Sequence, residues 1–265
     1  MLEQIVLGTV QGITEWLPVS SKAILILIKI NFFHEQGSLD EMIRAALFLH
    51  LGTFAAALIY LFSDVKRLTI GCLSFSRQSK ADQNVIVFLV ISTILSGALG
   101  FTLLKFANEI TSHFSSTSKI ITALIGFLLI GTGVLQLIAR RNQGIKQLSD
   151  LKLKDGIILG LAQGLAGIPG LSRSGMTVSA LLLLKFDDRV ALRLSFLMSL
   201  PIVLAGNIIL NFDKFRLTIE SAVGLLFSFL FGIATIHLLL KIAERINFAY
   251  FMFFFGTLTI LSILI

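Results

Sequence analysis

Six stretches of the chain are apolar for long enough to cross the roughly 30 Å hydrocarbon core of a bilayer as helices. They run over about 42 to 62, 85 to 106, 119 to 138, 190 to 211, 219 to 241 and 246 to 265. Two further stretches, about 5 to 30 and 156 to 184, are also apolar but carry Gly, Pro and polar residues at their centres. The pattern predicts an all-α polytopic membrane protein with six plain spans and two interrupted segments. The irregular backbone of those segments has to be buried in protein or line a wet cavity.

The interrupted segments match each other in part. The first reads Gln11-Gly12-Ile13-Thr14-Glu15-Trp16-Leu17-Pro18-Val19-Ser20-Ser21, and the second Gln163-Gly164-Leu165-Ala166-Gly167-Ile168-Pro169-Gly170-Leu171-Ser172-Arg173-Ser174. Their Gln-Gly and Ser landmarks coincide at an offset of 152, while the prolines stand one place out of register. Two of the three prolines in the chain fall here, which strengthens a match that is weak by identity alone. Paired broken segments in the two halves are the mark of an internal repeat with its site between them. The expected division is a first repeat over 1–138, a basic loop over 139–155 and a second repeat over 156–265.

Lys and Arg decide how the broken segments meet the membrane. If both are re-entrant, 13 basic residues fall on one side (Lys66, Arg67, Arg77, Lys80, Arg140, Arg141, Lys146, Lys152, Lys154, Lys185, Arg189, Lys241 and Arg245) and 6 on the other (Lys29, Arg44, Lys105, Lys119, Lys214 and Arg216). If both cross fully, the split falls to 11 against 8. The stronger positive-inside bias selects the re-entrant arrangement. Three full crossings then separate the two hairpins, so they enter from opposite faces and the repeats are inverted. Each repeat is a re-entrant broken helix pair plus three transmembrane helices. The first hairpin opens to the outside and the second to the cytoplasm, with the loops 63–84 and 139–155 cytoplasmic.

Composition agrees with this picture: the 265 residues are 55% hydrophobic and 14% charged, and the mean hydropathy of +0.92 excludes an ordinary soluble domain. The formal net charge of +7 lies between apolar segments rather than on an aromatic-interleaved face, so it reads as a topology signal, with no nucleic-acid partner. The N-terminus lacks a basic region before its apolar stretch, so no cleaved secretory signal is expected. Cys72 is the single cysteine, which excludes an intrachain disulfide framework, and no cluster has zinc spacing.

Candidate chemistry concentrates in the broken segments. Glu15 is a carboxylate inside an apolar stretch, where it needs a partner or a function. Gln11 precedes it by four residues, so on a helix the two share a face and offer three oxygens suited to a hard cation such as Mg²⁺ or Ca²⁺. Arg173 presents a fixed guanidinium fork suited to a phosphate, with the alternative that it satisfies backbone carbonyls. Ser172 and Ser174 flank it, and Gly170 and Gly175 allow close backbone approach. Ser20 and Ser21 precede a new apolar run, so Ser21 is either a helix N-cap or a nucleophile. Two facing helix N-termini favour an anion, and Lys22 and Arg173 add positive charge. His50 lies inside a span and reads as structural, while His34, His113 and His237 read as incidental.

These residues carry a resemblance. The runs at 11–21, Leu49-His50-Leu51-Gly52-Thr53, Pro169-Gly170-Leu171-Ser172-Arg173-Ser174-Gly175-Met176-Thr177, and 195–201 look like the undecaprenyl-diphosphate phosphatases of the bacitracin-resistance type, in order and spacing across nearly the whole chain. The resemblance implies an enzyme that removes the terminal phosphate of undecaprenyl diphosphate, recycling the lipid carrier for cell-wall synthesis and conferring bacitracin resistance. It implies a divalent cation, interlocked inverted repeats, a bacterial cytoplasmic (inner) membrane location with the site reached from the outer face, and room for a homodimer. Carried over by motif, Glu15 and Gln11 handle the metal or activate the attacking group and Ser21 is the nucleophile. Arg173, Ser172, Ser174 and Thr177 hold the diphosphate with Ser20 and Lys22. The family usually has a His in its Ser-Ser-x-Gly-His element; Ile24 stands there in this chain. A transporter or flippase of a phosphorylated prenyl lipid is the alternative that the architecture also allows.

Overall fold

The computed structural model describes residues 1–17, 19–35, 38–113, 117–140, 144–168, 170–211, 218–242 and 249–261. Pro18 and Pro169 lie outside the described residues, as do Arg141, Lys214, Arg216 and Arg245 of the charge tally. The described chain is helical, in eleven segments: α1 (Leu2–Thr14), α2 (Ser21–Asn31), α3 (Leu39–Tyr60), α4 (Phe62–Leu73), α5 (Lys80–His113), α6 (Thr117–Ala139), α7 (Leu153–Leu165), α8 (Arg173–Leu183), α9 (Asp188–Asn211), α10 (Ile219–Ile242) and α11 (Ala249–Leu261). Helices α3, α5, α6, α9 and α10 contain stretches long and apolar enough to cross a membrane, and they coincide with the first five predicted spans. Helix α11 supplies 13 described residues of the sixth. The protein is an all-helical, multi-pass membrane protein.

The predicted loop 63–84 is not plain loop. It holds α4, which buries Asp64, Leu68 and Gly71 on one face. Asp64 receives a two-pronged contact from Arg193 of α9, at 2.7 Å and 2.5 Å, and a third donor from Arg67 at 3.2 Å. Helix α4 is held by Leu68, which joins the main apolar core, and by that tertiary ion pair. The stretch 139–155 contains a single β-bridge from Lys146 to Phe186 and gives way to α7 at Leu153.

Both interrupted segments are broken helix pairs. α1 and α2 have 13 and 11 residues, about 20 Å and 17 Å of rise, so neither crosses a bilayer alone. Past α1, Trp16 anchors the chain: its indole Nε1 donates to the Gly232 carbonyl at 3.0 Å, and its ring meets Phe196 edge-on with centroids 5.0 Å apart. At the second break Gly170 takes a left-handed φ of +105° and lies against Ile125 and Leu128 of α6, where a Cβ would stand 3.1 Å from its neighbours. Ser172 then caps α8, its Oγ accepting from the Gly175 N–H at 3.1 Å.

The two halves brace each other. α1 packs on α10 and α7 packs on α5, so each broken pair rests on a long helix of the other half. Glycines allow the approach: Gly8 and Gly12 lie against Gly224, Ser228 and Gly232, while Gly160 and Gly164, at the same offset of 152, lie against Ser92, Leu95 and Leu99. α6 and α11 pack reciprocally, Gly126 on Ile260 and Gly256 on Ile130.

A side chain at Gly12 would meet Gly232 N and Phe231 Cβ at 2.7 Å, whereas nothing stands within 4 Å of a carbon added at Gly131. Gly12→Leu is therefore expected to destabilise by about 1–3 kcal/mol or more, the cost of overpacking. Gly131→Ala, in the interior of α6, should instead hold stability or raise it by up to about 1 kcal/mol. Thermal unfolding of the detergent-purified variants checks both.

Candidate active site

The breaks of both helix pairs open on one cavity of about 200 Å³. Glu15, Ser20, Ser21 and Lys22 reach it from the first break, and Ser172, Arg173 and Ser174 from the second. His50 of α3, Ser96 of α5 and Gln163 of α7 complete the polar wall. The rest is apolar, with Leu47, Phe101, Leu104, Ile202 and Ile209 among its residues. Phe101 and Ile209 are also 40% and 66% exposed, so the cavity opens through an apolar mouth between α5 and α9.

Glu15 is the hub. It caps the end of α1, its backbone N–H donating to the Gln11 carbonyl at 3.0 Å. Its buried Oε2 accepts from Gln11 Nε2 at 2.9 Å and Ser21 Oγ at 2.7 Å, and stands 3.0 Å from His50 Nε2. Its Oε1 accepts from Arg173 at 2.5 Å. His50 Nδ1 lies 2.6 Å from the Ala46 carbonyl, which only accepts, so that nitrogen carries a hydrogen.

The second break interlocks with the first through three contacts. Arg173 reaches Glu15, Ser174 Oγ donates to the Leu17 carbonyl at 2.7 Å, and Lys22 Nζ donates to the Ala166 carbonyl at the end of α7, also at 2.7 Å. Arg173 additionally donates to the Ser195 carbonyl at 3.3 Å and stands 6.0 Å from the Trp16 ring, so it both satisfies backbone and presents charge. Thr177, expected among the diphosphate ligands, does not line the cavity. It is fully buried behind Arg173, donating to the Arg173 carbonyl at 2.9 Å and bonding Ser195 Oγ at 2.7 Å.

The alternatives for Ser21 separate here. Ser20 is the N-cap residue of α2, and Ser21 is the first helical residue with its Oγ directed to Glu15. Ile24 packs against the cluster of Val19, Ala23, Ile125, Leu129 and Met252 and is not part of the cavity wall. The imidazole in the site is that of His50, which the sequence reading set aside as structural. Gln163 was recognised only as a repeat landmark, yet it lines the cavity and its Oε1, like Ser20 Oγ, is buried without a hydrogen-bond partner. Its offset of 152 from Gln11 was the available signal.

A divalent cation fits these residues poorly. Among the described residues no group of three or more His, Cys, Asp or Glu is placed to hold a metal. Among the described residues Glu15 is the only carboxylate in the cavity wall, and both its oxygens are engaged. Gln11 turns Nε2 to Glu15, leaving only its Oε1 unpaired, and is not part of the wall.

Comparison with known proteins places this geometry. The chain is 45% identical to an undecaprenyl-diphosphatase of Methanococcoides burtonii over 98% of this chain and 97% of that protein. It is 34% identical to an undecaprenyl-diphosphatase of Haloarcula marismortui, over 94% and 92%, and 35% identical to one of Methanothrix thermoacetophila, over 98% and 95%. The sequence profile of the family described as bacitracin resistance protein BacA matches residues 4–261. With the broken pairs, the Ser-Arg-Ser run and the buried glutamate all in that matched span, the chain belongs to the BacA family.

Proposed function

We propose that this protein hydrolyses undecaprenyl diphosphate to undecaprenyl phosphate and inorganic phosphate, recycling the lipid carrier of cell-wall synthesis and so conferring bacitracin resistance. The observation that carries the reading is the convergence of Ser21, Glu15 and Arg173 at the polar end of a cavity whose mouth is apolar. The diphosphate enters between the N-termini of α2 and α8, where unpaired N–H groups and positive dipole ends meet it. A cavity of about 200 Å³ takes the head group and the first isoprene units. The rest of the chain leaves past Phe101 and Ile209 into the hydrocarbon.

In the first step Ser21 Oγ bonds to the terminal phosphorus and gives its proton to Glu15 Oε2, 2.7 Å away. The bond from that phosphorus to the bridging oxygen breaks, and the electron pair departs on undecaprenyl phosphate. In the second step water bonds to the phosphorus and keeps both hydrogens as dihydrogen phosphate. The Ser21 Oγ–P bond breaks and Ser21 recovers its proton from Glu15. Phosphoryl transfer chiefly requires positioning and charge neutralisation, and Arg173 and Lys22 supply positive charge. The unpaired Ser20 Oγ and Gln163 Oε1 are acceptors suited to orient the water.

The cross-braced packing supports two inverted repeats, 1–138 and 156–265, joined by a cytoplasmic segment 139–155. The basic residues between spans support a cytoplasmic (inner) membrane with the site reached from its outer face. The cavity is lined by one chain, so a homodimer would carry two complete sites.

Phosphate release from undecaprenyl diphosphate by purified protein tests the reading. Ser21→Ala, Glu15→Gln and Arg173→Ala are each expected to lower turnover by about 10²-fold or more, the scale for losing a group that acts at the transition state. Unchanged turnover in all three would refute it, and translocation of the lipid in vesicles without phosphate release would select the flippase. Gly206 lines the mouth, with nothing within 4 Å of an added carbon. Gly206→Leu is therefore expected to raise KM for the long-chain lipid on the order of tenfold while leaving kcat nearly constant, as for uniform loss of binding.

A further inference from the structure

Resting on the phosphatase reading, we propose that this site neutralises the diphosphate with its own side chains and binds no divalent cation through the protein. The grounds are the charges that the fold has gathered. A hard cation is held by anionic oxygens, commonly more than one carboxylate. Among the described residues of the wall only Glu15 could serve, and its two oxygens already face Arg173, Ser21, Gln11 and His50. A cation at Glu15 would have to displace one of those donors and then stand beside the Arg173 guanidinium, 2.5 Å from the same carboxylate.

The unpaired oxygens nearby do not make up the deficit. Ser20 Oγ and Gln163 Oε1 are neutral, and Ser20 lies two residues before Lys22 in a wall whose described residues set Lys22 and Arg173 against Glu15. Gln11 stands at the position where a second carboxylate would complete a metal pair, and it donates to Glu15 instead. The amide thus does for Glu15 what a bound ion would otherwise do. The wall carries a surplus of positive charge directed at the anion, built from Lys22 and Arg173 at the N-termini of α2 and α8.

Phosphate release from undecaprenyl diphosphate, measured in excess EDTA and in added Mg²⁺ or Ca²⁺, tests this directly. The expected result is a rate in EDTA within about threefold of the rate with cation, because charge neutralisation is already present in the protein. A loss of more than about tenfold in EDTA, restored by Mg²⁺ or Ca²⁺, overturns the proposal and leaves the phosphatase reading standing. No phosphate release under any condition overturns the phosphatase reading itself. Manganese titration followed by electron paramagnetic resonance gives a readout apart from activity. No bound Mn²⁺ that depends on Glu15 is expected, and a site present in the wild-type chain and lost in Glu15→Gln counts against the proposal. Gln11→Glu, which sets a second carboxylate beside Glu15, is expected to introduce sensitivity to EDTA. A Gln11→Glu enzyme as active in EDTA as in Mg²⁺ would show that the amide is not what removes the requirement.

Discussion

A carboxylate buried among apolar helices is costly unless donors surround it, and the organisation of this protein follows from how Glu15 is satisfied. No single helix supplies the donors. Gln11 comes from α1, Ser21 from α2, His50 from α3 and Arg173 from α8. Burial of one charge therefore ties together both broken helix pairs and a full span. The same geometry holds Ser21 Oγ 2.7 Å from that carboxylate, so the contacts that satisfy the buried charge also gather the polar end of the cavity.

Bringing the breaks to one place depends on close helix packing elsewhere. In a bilayer, helices gain little from burying apolar surface against one another, so backbone approach and van der Waals contact decide the arrangement. Glycine rows on α1 and α7 let each short helix settle on α10 and α5 of the opposite half. Trp16 fixes the first break by hydrogen bonding to α10 and packing on Phe196 of α9. The result is a cavity with a polar end and an apolar mouth, in which a charged head group and a lipid tail each find a matching surface.

The distribution of roles between residues has a simple electrostatic logic. A phosphoryl-transfer site needs positive charge where negative charge develops, and that charge can come from a metal ion or from side chains. In this chain, amide, imidazole and guanidinium surround the one carboxylate, and Ile24 joins an apolar cluster rather than the cavity wall. Thr177 illustrates a second level of organisation: buried behind Arg173, it donates to that residue's backbone carbonyl at the start of α8.

Much was legible in the chain itself. The lengths of its apolar runs set the spans, because a bilayer fixes how many residues a crossing takes. The polar interruptions located the site, since irregular backbone at membrane depth is tolerated only around a cavity. Glu15, Ser21 and Arg173 stood out because charge and small polar residues are rare in such runs. What the sequence could not decide were relations between distant residues. His50 sits in an unbroken apolar helix and looks structural until α3 is laid beside Glu15. Thr177 shares a motif and a helix face with Arg173 but stands one turn further along α8, about 6 Å, and so lies buried behind it rather than in the cavity wall. Arg193 and Asp64 stabilise α4 across 129 positions of chain, which no local pattern records. Segment lengths and polarity are local properties set by the bilayer. Partner choice for a buried charge is a property of packing, and it exists only once the helices have met.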